Sequence, residues 1–238
     1  MTAIQLAPGV WRIPTLGRNA INSFAFEEAD GSVTLVDAGM RRAPKKILAS
    51  LAGIGKRPED VKRILITHAH LDHGGGLSRL HHHTHGHVEV HEHEVTYARD
   101  GAKMPIDRHS VIGRVLTVLP GNRIAPTPVH AVFSDNELLD VAGGLRVLHT
   151  PGHTPGHCSF LHEPSGVLIT GDSITNFFTW MRYSPAYFCS DIPVSRETAD
   201  RLGEVDYEVA AFTHGPEIRE RARERVRTFL SRRQTKLR

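Results

Sequence analysis

The chain has 238 residues, 39% of them hydrophobic and 23% charged, which suits a folded core and excludes a disordered chain. Lysine and arginine number 29 against 26 acidic residues, so the formal charge is +3, too small an excess to mark a nucleic-acid binder. No apolar run approaches the roughly 18 residues of a membrane span, and two cysteines, Cys158 and Cys189, are too few for a disulfide framework.

Met1 to Val10 has neither a basic start nor a long apolar stretch, so no secretory signal is expected and the expected location is the cytoplasm. Gly9–Pro14, Ile21–Glu27 and Ser32–Asp37 are rich in β-branched and aromatic residues. Gly17-Arg18-Asn19 and Asp30-Gly31 separate them, which predicts three antiparallel strands. A helix opens at Pro44 and runs to Leu51, with Gly53 and Gly55 closing it. Arg63–Thr67 reads as a buried strand that leads into His68. A helix over Gly76–His81, a strand around Val88 and Val90, and a helix over Glu92–Arg99 follow. Asp100–Pro128 holds four prolines and three glycines and reads as a long connection with a short helix at His109–Leu116.

In the second half, Val129–Phe133, Leu145–His149, Cys158–His162 and Val167–Thr170 are predicted strands, the last two joined through Glu163-Pro164-Ser165-Gly166. Ser195–Leu202 reads as a helix capped by Ser195, and Tyr207–Phe212 as a strand. A final helix begins near Pro216, with Ile218, Ala222, Val226 and Leu230 on its buried face and Glu217, Glu220 and Glu224 on a solvated one. No linker divides the chain, so the expectation is one domain over residues 1–238, built of two packed sheets with outer helices.

The unusual count is histidine, at 17. Thr67-His68-Ala69-His70-Leu71-Asp72-His73-Gly74-Gly75-Gly76 holds four potential metal ligands in six residues at a strand end. Alternation puts His68 and His70 on one side, while adjacent Asp72 and His73 diverge unless the chain bends, as the glycines permit. Four ligands diverging from one loop suit two metals better than one. Three further candidates each follow an apolar strand beside glycine: His153 in Pro151-Gly152-His153, Asp172 in Thr170-Gly171-Asp172, and His214 in Thr213-His214-Gly215. A lone histidine after a strand is ordinarily a solvated residue. Here the cluster needs partners, and these residues are placed to supply them.

These motifs together resemble the metallo-β-lactamase-fold hydrolase superfamily. His68-Ala69-His70-Leu71-Asp72-His73 matches its HxHxDH motif, and Asp37, Gly152-His153, Gly171-Asp172 and His214-Gly215 match its other motifs in order. The resemblance implies an αβ/βα sandwich, a four-layer α/β fold of two mixed β-sheets with outer helices. It assigns His68, His70 and His153 to one divalent metal, and Asp72, His73 and His214 to a second. Asp172 would bridge them, and Asp37 would support a ligand. Nitrogen and oxygen ligands suit zinc, with iron or manganese as alternatives.

Two metals roughly 3.5–4 Å apart share a water and lower its pKa, so a metal-bound hydroxide attacks the substrate, and Asp72 as catalytic carboxylate orients that water or moves its proton. The run around His68 looks like the glyoxalase II branch, although the tail after His214 has room for only one helix. Thr175 stands where lactonases carry a tyrosine. The expected activity is hydrolysis of a small ester, thioester or lactone with an apolar portion. A phosphodiesterase and a β-lactam hydrolase are the alternative enzymes.

Two further features remain. His81, His82, His83, His85, His87, His91 and His93 form a tract that binds metal by composition alone, which motivates a metal-buffering protein as the non-enzymatic alternative. The ligand set is complete without it, and its expected surroundings are polar and turn-like. Phe177, Phe178, Trp180, Tyr183, Tyr187 and Phe188, six of fifteen aromatics, lie soon after Asp172. They read as a substrate-binding lid with Phe178 and Trp180 against the pocket, as core, or as an interface in a homodimer.

Overall fold

The structure, a computed structural model, describes residues 3–107 and 123–236. The helix expected at His109–Leu116 lies outside the described residues. Among them no helix is long and apolar enough to cross a membrane.

Seven strands form the first sheet in sequence order: β1 (Ile4–Ala7), β2 (Val10–Leu16), β3 (Ile21–Glu27), β4 (Val33–Val36), β5 (Val61–Leu65), β6 (His87–His91) and β7 (Ala131–Phe133). The first four pair antiparallel, and β4 to β7 pair parallel. Parallel strands need long crossovers. Helix α1 (Pro44–Ala52) supplies one between β4 and β5, α2 (Leu77–Thr84) another between β5 and β6, and α3 (Val95–Asp100) follows β6. A five-stranded second sheet has the order β14 (Val209–Ala211), β11 (Val167–Ile169), β10 (Cys158–His162), β9 (Leu145–His149), β8 (Leu138–Leu139). A separate hairpin pairs β12 (Ile174–Phe177) with β13 (Trp180–Tyr183).

The strand sequences explain the layering. A strand covered on both faces reads as a continuous apolar run, and successive side chains sort to opposite faces. In β4, Leu35 packs toward Ile47 and Leu51 of α1, while Val36 packs into the layer between the sheets with Phe160 and Ile169. Ile64 and Leu65 of β5 divide the same way. Leu168 and Ile169 of β11 repeat the division in the second sheet. There Leu168 faces Leu202 and residues Val226 and Leu230 of α5 (Ala222–Lys236). Helix, sheet, sheet and helix form the four-layer αβ/βα sandwich.

Several expected boundaries shift for identifiable reasons. Ser195 is not a cap. Helix α4 spans Ile192–Thr198, and the Asp191 carboxylate accepts from the Val194 N–H, leaving Ser195 buried inside the helix. The final helix begins at Ala222. Ile218 instead bridges antiparallel to Ala210, and Glu217 leaves the solvated face to pair with the nearly buried Arg12 guanidinium at 2.8 Å. Ala222, Val226 and Leu230 are buried as expected. The histidine tract is mostly regular structure, covering the end of α2 and all of β6. β1, β8 and the β12–β13 hairpin carry no strong alternation and were not expected.

Candidate metal centre

The site lies where strands of both sheets end. Beyond β4 comes Asp37, and beyond β5 come Thr67 and His68. Beyond β9, β11 and β14 come the segments of His153, Asp172 and His214. Gly76 allows the His70–Gly75 loop to close against the loop between β4 and α1, since a Cβ there would lie 2.3 Å from the Ala38 carbonyl oxygen. The glycines of this loop act by close approach.

All seven expected ligands converge. His68 Nε2 lies 3.1 Å from His153 Nε2, which lies 2.9 Å from His70 Nδ1. His73 Nε2 lies 3.2 Å from His214 Nε2, and Asp72 Oδ2 is 3.3 Å from the latter. Asp172 reaches both groups. Its Oδ2 is 3.3 Å from His153 Nε2, and its Oδ1 is 3.4 Å from His73 Nε2 and 3.3 Å from His214 Nε2. Three sets of potential ligand atoms each fall within 4.8 Å: His68, His70 and His153; His68, His73 and Asp172; Asp72, His73 and His214.

Three of the outward-facing ring nitrogens are held by the fold, the support that metal-binding imidazoles characteristically have. His73 Nδ1–H donates to Asp37 Oδ2 at 2.8 Å, and His214 Nδ1–H donates to the Ala20 carbonyl at 2.6 Å. Thr67 Oγ1 donates to Asp37 and accepts from His68 Nδ1–H at 3.0 Å. Asp37 is therefore a support for His73 and, through Thr67, for His68.

Electrostatics divide the site. Burial, reinforced by neighbouring imidazoles, keeps His68 and His153 well below the usual histidine range, and burial holds His70 near 4. Burial pulls His73 and His214 down as well, but Asp172 and Asp72 outweigh it and raise them to about 9 and about 11. The reciprocal attraction overrides burial at Asp72 and Asp172 and holds both carboxyls below the usual range. Unprotonated nitrogens with facing lone pairs, beside two ionised carboxylates, fit divalent cations of borderline softness.

Two supporting residues gave no sequence signal strong enough to place them. Glu94, just before α3, is fully buried and accepts from the Ala69 N–H at 2.8 Å, the Gly156 N–H at 2.9 Å and Thr154 Oγ1 at 2.6 Å. It ties the His68–His73 loop to the His153 turn, and burial raises its carboxyl to about 7 against those three donors. His157, visible only as the second histidine of the Pro-Gly turn, donates Nδ1–H to the Thr150 carbonyl at 3.0 Å. Its Nε2 accepts from the Asp172 N–H at 2.7 Å.

A cleft of about 290 Å3 opens onto the site, lined by Ile21, Met40, His70, Leu71, Asp72, His153, Asp172 and Phe188. This corrects the expected lid. Phe178 is 93% exposed and Trp180 67% exposed at the tip of the β12–β13 hairpin, and neither borders the cleft. Trp180 lines a different groove with Arg225 and Phe229. Of the six aromatics, Phe188 faces the cleft, and Phe177 stacks on His214 with ring centroids 5.3 Å apart.

The family model described as the metallo-beta-lactamase superfamily matches residues 16–214, and the chain belongs to that superfamily. The probable metallo-hydrolase YflN of Bacillus subtilis is 25% identical over 200 residues, covering 77% of this chain and 75% of the relative. A hydroxyacylglutathione hydrolase of Halorhodospira halophila is 26% identical over 160 residues, 67% of this chain and 45% of that one. The metallo-beta-lactamase family protein TTHA1429 of Thermus thermophilus superposes with a TM-score of 0.73 at 28% identity, covering 98% of this chain and 82% of that structure.

Proposed function

We propose that this protein is a dinuclear metal-dependent hydrolase of small esters, thioesters or lactones with an apolar portion. His68, His70 and His153 would hold one ion, and Asp72, His73 and His214 the other, with Asp172 shared; zinc is the proposed metal. The observation that carries this reading is the position of Asp172, with one oxygen beside each histidine group. When bound, such a pair of ions supplies Lewis-acid polarisation of a carbonyl and an activated water at neutral pH.

The chain's own residues supply the rest. Asp72 lies on the cleft wall and is more exposed than the other candidate ligands, which supports a role in orienting an incoming water and accepting its proton. Ile21, Met40, Leu71 and Phe188 offer an apolar surface to the acyl portion of a substrate. The likeness to a hydroxyacylglutathione hydrolase supports thioesters within this class.

Elemental analysis of protein loaded with metal and then freed of weakly held ions by gel filtration should find close to two ions per chain. A single ion, unaffected by Asp72→Ala or His214→Ala, would overturn the dinuclear reading. Turnover on a panel of ester, thioester, lactone, phosphodiester and β-lactam substrates should be highest on the first three. Turnover confined to the last two would overturn the substrate assignment.

A further inference from the structure

Outside the cleft, three more histidines bring ligand atoms within 4.8 Å of one another: His91, His93 and His149. They come from two distant parts of the chain, His91 and His93 from one and His149 from the other. His91 ends β6, His93 sits in the turn that follows, and His149 ends β9. β6 belongs to the first sheet and β9 to the second, so the group spans the seam between the sheets. His91 is buried, His149 is half-buried and His93 is exposed, which leaves one open side.

The donor accounts favour a cation. His149 donates Nε2–H to the Pro155 carbonyl at 3.0 Å, which leaves Nδ1 as a lone pair. A backbone carbonyl on the far nitrogen is the support that metal-binding histidines characteristically have. His91 and His149 stack with centroids 4.0 Å apart and planes 14° from parallel, a contact that two charged rings would not keep. Burial and the neighbouring imidazoles hold His91 down near 4, so its ring is neutral at pH 7.

We propose that His91, His93 and His149 form a further metal site, separate from the cleft, that takes a divalent transition ion such as Zn2+ and joins the two sheets. Three imidazoles suit zinc, copper or nickel and disfavour magnesium or calcium. Binding has a cost. His91 Nδ1 accepts from the His93 backbone N–H at 3.2 Å, and coordination through either ring nitrogen gives this contact up. Parallel stacking also sets the in-plane lone pairs side by side, so one ring must turn, and the exposed His93 adjusts most freely. The site is therefore expected to be weaker than the buried set in the cleft. It is next to both supports of that set: His93 precedes Glu94, and His149 precedes Thr150, which holds His157.

The test is a calorimetric titration of the zinc-loaded protein with further Zn2+, comparing the unaltered chain with His93→Gln and, as a second variant, His149→Gln. His93 is exposed, so the first variant folds. The unaltered protein should take up one equivalent more than either variant, and its Tm should rise with that equivalent, while turnover is the same in the unaltered protein and His93→Gln. Because the readout is a difference between proteins, it does not depend on how many ions the cleft holds. Superimposable titrations would overturn the proposal. So would an extra equivalent that survives in His93→Gln but disappears in His82→Gln/His83→Gln, since the ion would then lie on the exposed end of α2.

Discussion

His157 Nε2 accepts the backbone N–H of Asp172 at 2.7 Å, so a histidine that faces no metal position fixes the residue that both histidine groups share. The contact is close because Gly171, directly before Asp172, has a φ of +53° and no side chain against the His157 ring. A Cβ there would stand 2.4 Å from the same Nε2.

The first prediction concerns that contact. His157→Leu roughly keeps the side-chain volume but removes both hydrogen-bonding nitrogens, stranding the Asp172 N–H in a buried position. An unsatisfied buried donor costs about 1–3 kcal/mol, and loss of a residue that orients a ligand lowers metal affinity or activity roughly 10- to 100-fold. Zinc affinity and turnover should fall together by that factor, with a Tm lower by several degrees. A purely structural residue would lower the Tm and leave zinc affinity unchanged.

The division of protonation between the histidine groups predicts two different pH responses. His68, His70 and His153 are unprotonated at pH 7, whereas His73 and His214 hold protons up to about 9 and about 11. A histidine raised by its fold contributes stability that is complete below its unfolded value near 6.5. That stability is lost as pH climbs through the folded value. Metal-free protein should therefore lose stability between about pH 7 and pH 11. Metal uptake by His73 and His214 must release those protons. Between pH 6.5 and 8.5 the weaker of the two cleft affinities should rise roughly tenfold or more per pH unit, while the stronger of the two changes little. Zinc titrations at three pH values in that range measure this, and two equal slopes would contradict the division.

The histidines on and after α2 should be dispensable for turnover. His82 and His83 are exposed on the helix, and His81 bonds to the Gly86 carbonyl nearby. Changing His81, His82 and His83 to Gln, and His85 to Asn to suit its φ of +55°, should leave kcat/KM within a few-fold. A collapse of activity with unchanged circular dichroism would mean that this end of α2 reaches the cleft.

How much was legible from residue order follows from how local each signal is. The HxHxDH run and the Gly-flanked His153, Asp172 and His214 are short patterns at the ends of apolar strands. Strand and loop could both be read there without tertiary information. Leu145–His149 and Cys158–His162 have the expected limits because both strands are apolar runs bounded by turn residues. Glu94 left no such mark. Glu92 and His93 before it are polar, and only the packing of this turn against two distant loops, at Ala69 and Gly156, makes it a buried acceptor. Ile218 kept helical spacing with Ala222, but its pairing with Ala210 across the end of the second sheet decided the outcome. Aromatic density suggested the lid. Which aromatic faces the cleft depended on a turn at Phe188 and on a hairpin that carries Phe178 away from it, with φ of +52° at its tip.

That correction sets the last prediction. Phe188 borders the cleft with its ring 6.4 Å from that of His70, and it is 44% exposed. A substrate's apolar portion that covers the exposed part of the ring gains about half of the 1.5–3 kcal/mol for full burial, or about 0.75–1.5 kcal/mol. Phe188→Ala should therefore lower kcat/KM roughly three- to twelvefold for a long acyl substrate. A small polar ester makes little use of that wall and should lose twofold at most. Phe178→Ala and Trp180→Ala should leave both substrates unchanged, because neither ring borders the cleft. A core residue would behave differently, since its loss lowers Tm and slows all substrates alike. Kinetics of the three variants on a short and a long acyl substrate, with Tm measured alongside, separate these outcomes. If Phe188→Ala slows both substrates equally, or Phe178→Ala slows the long one more, the apolar wall is not where the structure places it.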